Sequence, residues 1–213
     1  MRGIRRTVNI DAHQHFWVYD PQEYPWITDE KSVLRQNFLP EDLAREQRKV
    51  EFDGSIAVQA RQTLDETRWL LKLADDSDRI RGVVGWVDLR SERVEEQLAE
   101  FATHPKFVGV RHVVQDEPDD QFMLRPDFLR GLAKLAQFKL TYDLLVFPRQ
   151  LPAAIEVVKR FPAQPFVLDH IAKPQIRTGI LSPWKEQITE LARFPNVCCK
   201  VSGLVTEASW DEW

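Results

Sequence analysis

Two histidines one residue apart, His13 and His15, close an apolar run that includes Val8 and Ile10, and Asp11 stands two positions before the first of them. Side chains alternate along a strand, so Asp11, His13 and His15 should share one face. Paired imidazoles backed by a carboxylate can hold a divalent ion such as zinc, or polarise a carbonyl oxygen without one. A third histidine, His170, follows another apolar run that ends at Leu168 and Asp169. A hydrogen-bonded histidine capping a buried strand would read the same in sequence. Position separates the two readings, because a long aromatic stretch follows His15 directly.

Other reactive or hydrogen-bonding residues fall at or just beyond the ends of apolar runs: Gln59, Arg61, Trp86, Asp88, Asp143, Lys200 and Ser202, together with the neighbours Arg111 and His112. Gln59, Arg111, His112 and Asp143 carry the donors and acceptors to bind the hydroxyls or carboxylate of a small substrate. Arg111 suits an anionic or oxygen-rich one, or else a structural ion pair. Residues 16–39 form a stretch long for a connector, in which Trp17 and Trp26 could stack on a sugar ring or pin the loop down.

Short β-branched runs at 7–13, 55–60, 82–87, 107–113, 140–146, 165–169 and 197–201 must position these residues. Amphipathic helical patterns alternate with them. Thr63 and Glu66 form a capping box before Trp69, Leu70 and Leu73. Ser91 is placed to cap a helix with Val94, Leu98 and Phe101 inside, and Ser182 one that carries Trp184, Ile188 and Leu191. Pro126 and Pro152 open two more. Strand and helix in alternation, with strands too apolar to face water, predict a parallel sheet covered by helices. Polar residues at the ends of many strands favour a (β/α) barrel over an open doubly wound sheet.

The chain has 213 residues, 43% of them hydrophobic, which fits one domain over 1–213. Its 29 basic and 33 acidic residues leave a net charge of −4 without a long block of either sign, so nucleic acid and anionic membrane are poor partners. The basic residues 1–6 lead into no apolar signal segment, and a cytoplasmic address is the default. Cys198 and Cys199 are neighbours and read as reduced packing residues.

The segments Asp11-Ala12-His13-Gln14-His15-Phe16-Trp17, Tyr24-Pro25-Trp26-Ile27, Gly109-Val110-Arg111-His112, Leu168-Asp169-His170-Ile171-Ala172-Lys173-Pro174 and Cys199-Lys200-Val201-Ser202-Gly203-Leu204 together resemble the lactonase branch of the amidohydrolase superfamily. Sugar-acid lactonases of the L-fuconolactonase and L-rhamnonolactonase kind are the most similar. The resemblance runs from Asp11 to the C-terminus and implies a TIM-like (β/α)₈ barrel that opens a lactone ring to a hydroxy acid. It implies catalytic roles for His13, His15 and His170, directly or as ligands of a divalent metal that relatives in this branch are able to dispense with.

One departure stands out. The family's eighth strand and the aspartate base at its end have no counterpart, and Asp211 lies in a helical context, so the expectation is a C-terminally truncated barrel of about seven βα units. Two other readings follow: a metal-dependent decarboxylase of the same superfamily, or a catalytically inactive fragment whose open edges invite a homo-oligomer.

Overall fold

Seven parallel strands pair in strict sequence order: β1 (Ile10–Gln14), β2 (Gly54–Val58), β3 (Ile80–Gly85), β4 (Phe107–His112), β5 (Thr141–Leu144), β6 (Phe166–Leu168) and β7 (Val197–Cys199). The helices are α1 (Pro40–Lys49), α2 (Leu64–Asp76), α3 (Val94–Ala102), α4 (Pro126–Leu132), α5 (Leu151–Arg160), α6 (Trp184–Leu191) and the short α7 (Leu204–Glu207). This computed structural model describes residues 7–209 and 211. The basic residues 1–6 and Trp210, Glu212 and Trp213 lie outside the described residues; Asp211 is exposed and beyond the end of α7.

Seven strands laid flat, about 4.8 Å apart, would hold the first and last roughly 30 Å from each other. Instead Lys200, directly after β7, brings its Nζ within 3.4 Å of Nδ1 of His13 on β1. The sheet therefore curls into most of a cylinder, which excludes the open doubly wound alternative. Among the described residues β1 and β7 do not pair with each other. No helix among them is long and apolar enough to cross a membrane.

The main core fills the space between sheet and helices, where Leu70, Leu98, Phe128 and Val157 are buried. Phe122, Phe128, Tyr142 and Phe166 form an edge-to-face series there, with successive ring centroids 5.2, 5.9 and 6.3 Å apart. α4 lies so close to the chain after β3 that a Cβ on Gly131 would sit 1.9 Å from the Leu89 carbonyl oxygen. A smaller core of Trp17, Tyr24 and Ile27 stabilises the 16–39 stretch, whose two ends are joined by the paired backbone of Trp17 and Phe38.

Four sequence expectations are corrected. Thr63 does cap α2, its Oγ1 accepting from Glu66 N–H at 3.1 Å, but the Glu66 carboxylate does not return to Thr63. It turns to the end of β2 and accepts the backbone N–H groups of Ala60 and Arg61, the latter at 2.7 Å. Ser91 lies two residues before the N-cap of α3, its Oγ accepting from Arg93 N–H, and Ser182 makes no side-chain cap because Pro183 occupies that position. Both cysteines are exposed rather than packed, because β7 pairs on one side only. α1 was not legible as a helix; Pro40 opens it, and Asp42 caps it by accepting from Leu39 N–H at 3.0 Å.

Two outcomes follow from this packing. Gly131→Ala must push α4 off Leu89 and is expected to cost about 3 kcal/mol in urea unfolding; a loss below about 0.5 kcal/mol would show that α4 yields freely. Burial raises the Glu66 pKa to about 7 against the pull of its two backbone donors. The native state then holds a proton that the unfolded chain has released, so this contribution is fully present below about pH 4.5 and lost as pH rises to about 7. Glu66→Gln should flatten the fall in stability over that interval, and equal slopes in the two proteins would contradict the assignment.

Candidate active site

β1 carries His13, and His15 follows directly after it, beyond an irregularity in which the pairing with β2 shifts between Asp11 and Gln14. A bulge of this kind re-aims side chains, and here it brings His13 Nε2 to 3.0 Å from His15 Nε2. His15 Nδ1 lies 2.8 Å from the Val58 carbonyl, which can only accept, so His15 carries its proton on Nδ1 and offers a lone pair at Nε2. His13 then donates from Nε2. These tautomers are assigned from the bonding network.

His170 arrives from the opposite side of the barrel mouth, its ring centroid 4.4 Å from that of His13. It stands on an unusual backbone. His170, Ile171, Ala172 and Lys173 all have φ between 51° and 53°, a left-handed turn of residues with side chains that costs about 1–2 kcal/mol per residue. The turn is tied down at each position. His170 Nδ1 meets Ser202 Oγ at 2.9 Å, the Ile171 carbonyl accepts from the Trp184 indole at 2.8 Å, Ala172 is buried, and Lys173 Nζ donates to Gln115 Oε1 at 2.6 Å.

Beneath the histidines lies a buried charge network. Arg111, reaching in from β4, pairs with Asp169 Oδ2 at 3.0 Å and also bonds both the side-chain and backbone oxygens of Gln59. Lys200 pairs with Asp169 Oδ1 at 3.0 Å and with Asp143. Both cations also approach His13, Arg111 at 3.5 Å from Nε2 and Lys200 at 3.4 Å from Nδ1.

Burial lowers the pKa of His13 more than the adjacent Asp169 raises it, and lowers that of His15 well below the usual range with help from Arg111. His170 is lowered by burial, and by the neighbouring His13, to about 4. Burial pushes the Asp169 carboxyl upward, but His13, Arg111 and Lys200 outweigh it and hold it well below the carboxylate range. Asp143, beside Asp169 and with Lys200 as its cation, is raised to about 6, chiefly by burial. The cluster thus presents neutral imidazoles over an ionised carboxylate.

His13, Asp169 and His170 each offer a ligand atom, all within 4.8 Å of one another. Asp169 therefore stands in this donor group where the sequence suggested His15. In sequence Asp169 and Lys200 read only as polar strand ends; the signal that could promote them is that each is the first residue after its strand, on the inward side of the alternation.

The expected substrate-binding residues divide differently. Gln59, Arg111 (3% exposed) and Asp143 (1%) lie in the barrel interior and bond to protein groups, so their placement is that of a supporting layer. His112 faces the opposite side of β4 from Arg111. It stacks on Phe122 with centroids 4.9 Å apart, and its nitrogens meet Glu117 at 2.7 Å and the Trp86 indole at 3.4 Å. Trp17 is a loop anchor, its indole donating to the Gln36 carbonyl at 2.9 Å. Trp26, 37% exposed, packs edge-on against Trp17, with Lys31 Nζ over its ring 5.5 Å from the centroid.

Residues 10–213 match the amidohydrolase family model. The L-fucono-1,5-lactonase of Burkholderia multivorans is 44% identical over 96% of this chain and 71% of its own length. That of Burkholderia ambifaria is 38% identical over 95% of this chain and 70% of its own length. A crystal structure of an amidohydrolase from Burkholderia multivorans with bound zinc superposes with a TM-score of 0.92 at 45% identity, over 96% of this chain and 72% of that one.

Gly203 seats His170 from below. Its φ is +67°, and a Cβ there would lie 2.9 Å from His170 Nδ1. Gly203→Ala is expected to shift the His170 imidazole resonances in a long-range ¹H–¹⁵N spectrum and leave those of His112 in place. Unmoved His170 resonances would show that the glycine has no part in holding the ring.

Proposed function

We infer that this chain, which belongs to the amidohydrolase family, opens a sugar-acid lactone to its hydroxy acid, with the barrel-mouth histidines His13, His15 and His170 as its catalytic centre. The observation that carries this reading is the meeting of neutral imidazoles at or just beyond the ends of β1 and β6, the His13 ring centroid lying 4.8 Å from that of His15 and 4.4 Å from that of His170, where barrels of this class build their sites. The two L-fucono-1,5-lactonases among the relatives support the choice of reaction and substrate class.

Hydrolysis adds the oxygen of water to the lactone carbonyl carbon, gathers negative charge on the carbonyl oxygen, and breaks the bond to the ring oxygen, which leaves as a tethered alcohol. Arg111 and Lys200 sit directly behind His13 and offset the charge of Asp169 and Asp143, so the mouth does not repel that developing charge. A neutral imidazole can take the proton that water gives up and return it to the ring oxygen. On His170 that atom is Nε2, since Nδ1 is engaged by Ser202. The exposed part of the Trp26 ring is the surface we assign to stacking on the apolar face of a sugar ring.

The donor set also fits zinc. Its imidazoles are neutral, as metal ligation requires. Its three ligand atoms, one each on His13, Asp169 and His170, lie within 4.8 Å of one another, near enough for small side-chain shifts to bring all three to zinc–ligand distances of about 2.0–2.2 Å. Asp169 Oδ1 is a buried oxygen that makes no hydrogen bond among the described residues, with the Lys200 ammonium 3.0 Å away. His13, Asp169 and His170 would hold the ion, which when bound supplies a Lewis acid toward the carbonyl. The exposed, unpaired cysteines suit a reducing cytoplasm.

Acid release from a panel of aldonolactones, L-fucono-1,5-lactone among them, tests the reading. His13→Ala and His170→Ala should each lower kcat/KM by about 100-fold or more. Full turnover in both variants, or no acid release from any lactone, would overturn it.

A further inference from the structure

Two of the three donor residues that could hold a divalent ion are already in contact with a cation that belongs to the chain. Lys200 Nζ lies 3.0 Å from Asp169 Oδ1 and 3.4 Å from His13 Nδ1, and it also pairs with Asp143. Its side chain is 9% exposed and that of Asp169 is fully buried, so neither group is free to turn to water. Arg111 holds the other oxygen of the same carboxylate at 3.0 Å. Two carboxylates thus face two fixed cations, and the network is balanced before any metal arrives.

Adding a divalent ion to a balanced, buried cluster leaves a net positive charge away from water, which is costly. The ion would also have to compete for Asp169 Oδ1 and for His13 with a tethered ammonium whose effective concentration is high. We propose that Lys200 is a built-in cation of this cluster: its ammonium occupies the carboxylate side of the His13–Asp169–His170 donor set and competes with divalent metal for it. Removing that ammonium unbalances the network by one negative charge and vacates the contact on Asp169. Lys200 is in this sense a positioning residue, which governs how strongly the cluster calls for an added metal. The inference rests on the metal site named above, not on lactone turnover.

The test is zinc affinity, measured at fixed pH and ionic strength by competition with a chromophoric chelator. Cys198→Ser and Cys199→Ser form the background, because those exposed thiols would bind zinc themselves. Lys200→Met should bind one zinc about 10- to 100-fold more tightly than the Lys200 protein, Lys200→Arg should leave the affinity near its starting value, and adding His13→Ala to Lys200→Met should abolish the gain. Equal or weaker zinc binding by Lys200→Met, or a gain that survives His13→Ala, would overturn the proposal. Should Lys200→Met fail to fold with Asp143 unpaired, the double variant Lys200→Met/Asp143→Asn is compared with Asp143→Asn alone, and the same gain is required. Zinc affinity is read without substrate, so its failure leaves the lactonase reading standing, and a protein that cleaves no lactone leaves this comparison intact.

Discussion

The buried pairing of Arg111 and Lys200 with Asp169 and Asp143 is the constraint around which the barrel is organised. Arg111 ties β4 to the ends of β2 and β6, and Lys200 ties the end of β7 to β5, β6 and β1. Backbone pairing alone links only neighbouring strands, and β1 and β7 do not pair among the described residues. Side-chain charge therefore draws the first and last strands toward each other. Such a network adds little net stability over a well-packed apolar one, but breaking it by removing one partner costs about 3–5 kcal/mol. Its effect is to specify curvature and to place Asp169 beneath His13.

The network also sets the electrostatics of the mouth. His13, His15 and His170 are desolvated and lie near fixed positive charge, so each is held neutral where an isolated histidine would begin to take up a proton. Neutral imidazoles can accept a proton or ligate a cation; protonated ones can do neither. Asp169, held ionised by His13 together with the same two cations, completes a donor set that would repel an oxyanion if Arg111 and Lys200 were absent. The same charges thus make the site hospitable to a carbonyl oxygen and guarded toward a metal.

Much of the fold was legible because strand and helix periods leave different marks. All seven strands lie where β-branched runs predict them, and Thr63, Pro126 and Pro152 mark real helix starts. What sequence could not supply was which face of each strand turns inward. Arg111 and His112 are neighbours, so alternation sends one into the barrel and the other against Phe122, yet both read as polar strand-end residues. Glu66 fits a capping box in sequence, but the unpaired N–H groups of Ala60 and Arg61 at the end of β2 are a stronger demand on its carboxylate. Trp17 and Trp26 were equivalent as letters. Only the small core beneath the loop separates the anchor from the exposed ring.

The left-handed turn from His170 to Lys173 shows why the site needs the rest of the barrel. Four residues with side chains in this conformation, Ile171 among them, store on the order of 4–8 kcal/mol relative to ordinary backbone, comparable to the whole stability of a typical domain. No local preference of the sequence would hold such a turn. It persists because Ser202, Trp184 and Gln115 each grip one of its residues, and because Asp169 at its start is clamped by two cations. The gain is placement: the turn begins directly after Asp169 and sets the His170 ring centroid 4.4 Å from that of His13. Strain in the backbone is therefore the means by which a histidine from one side of the cylinder reaches those on the other.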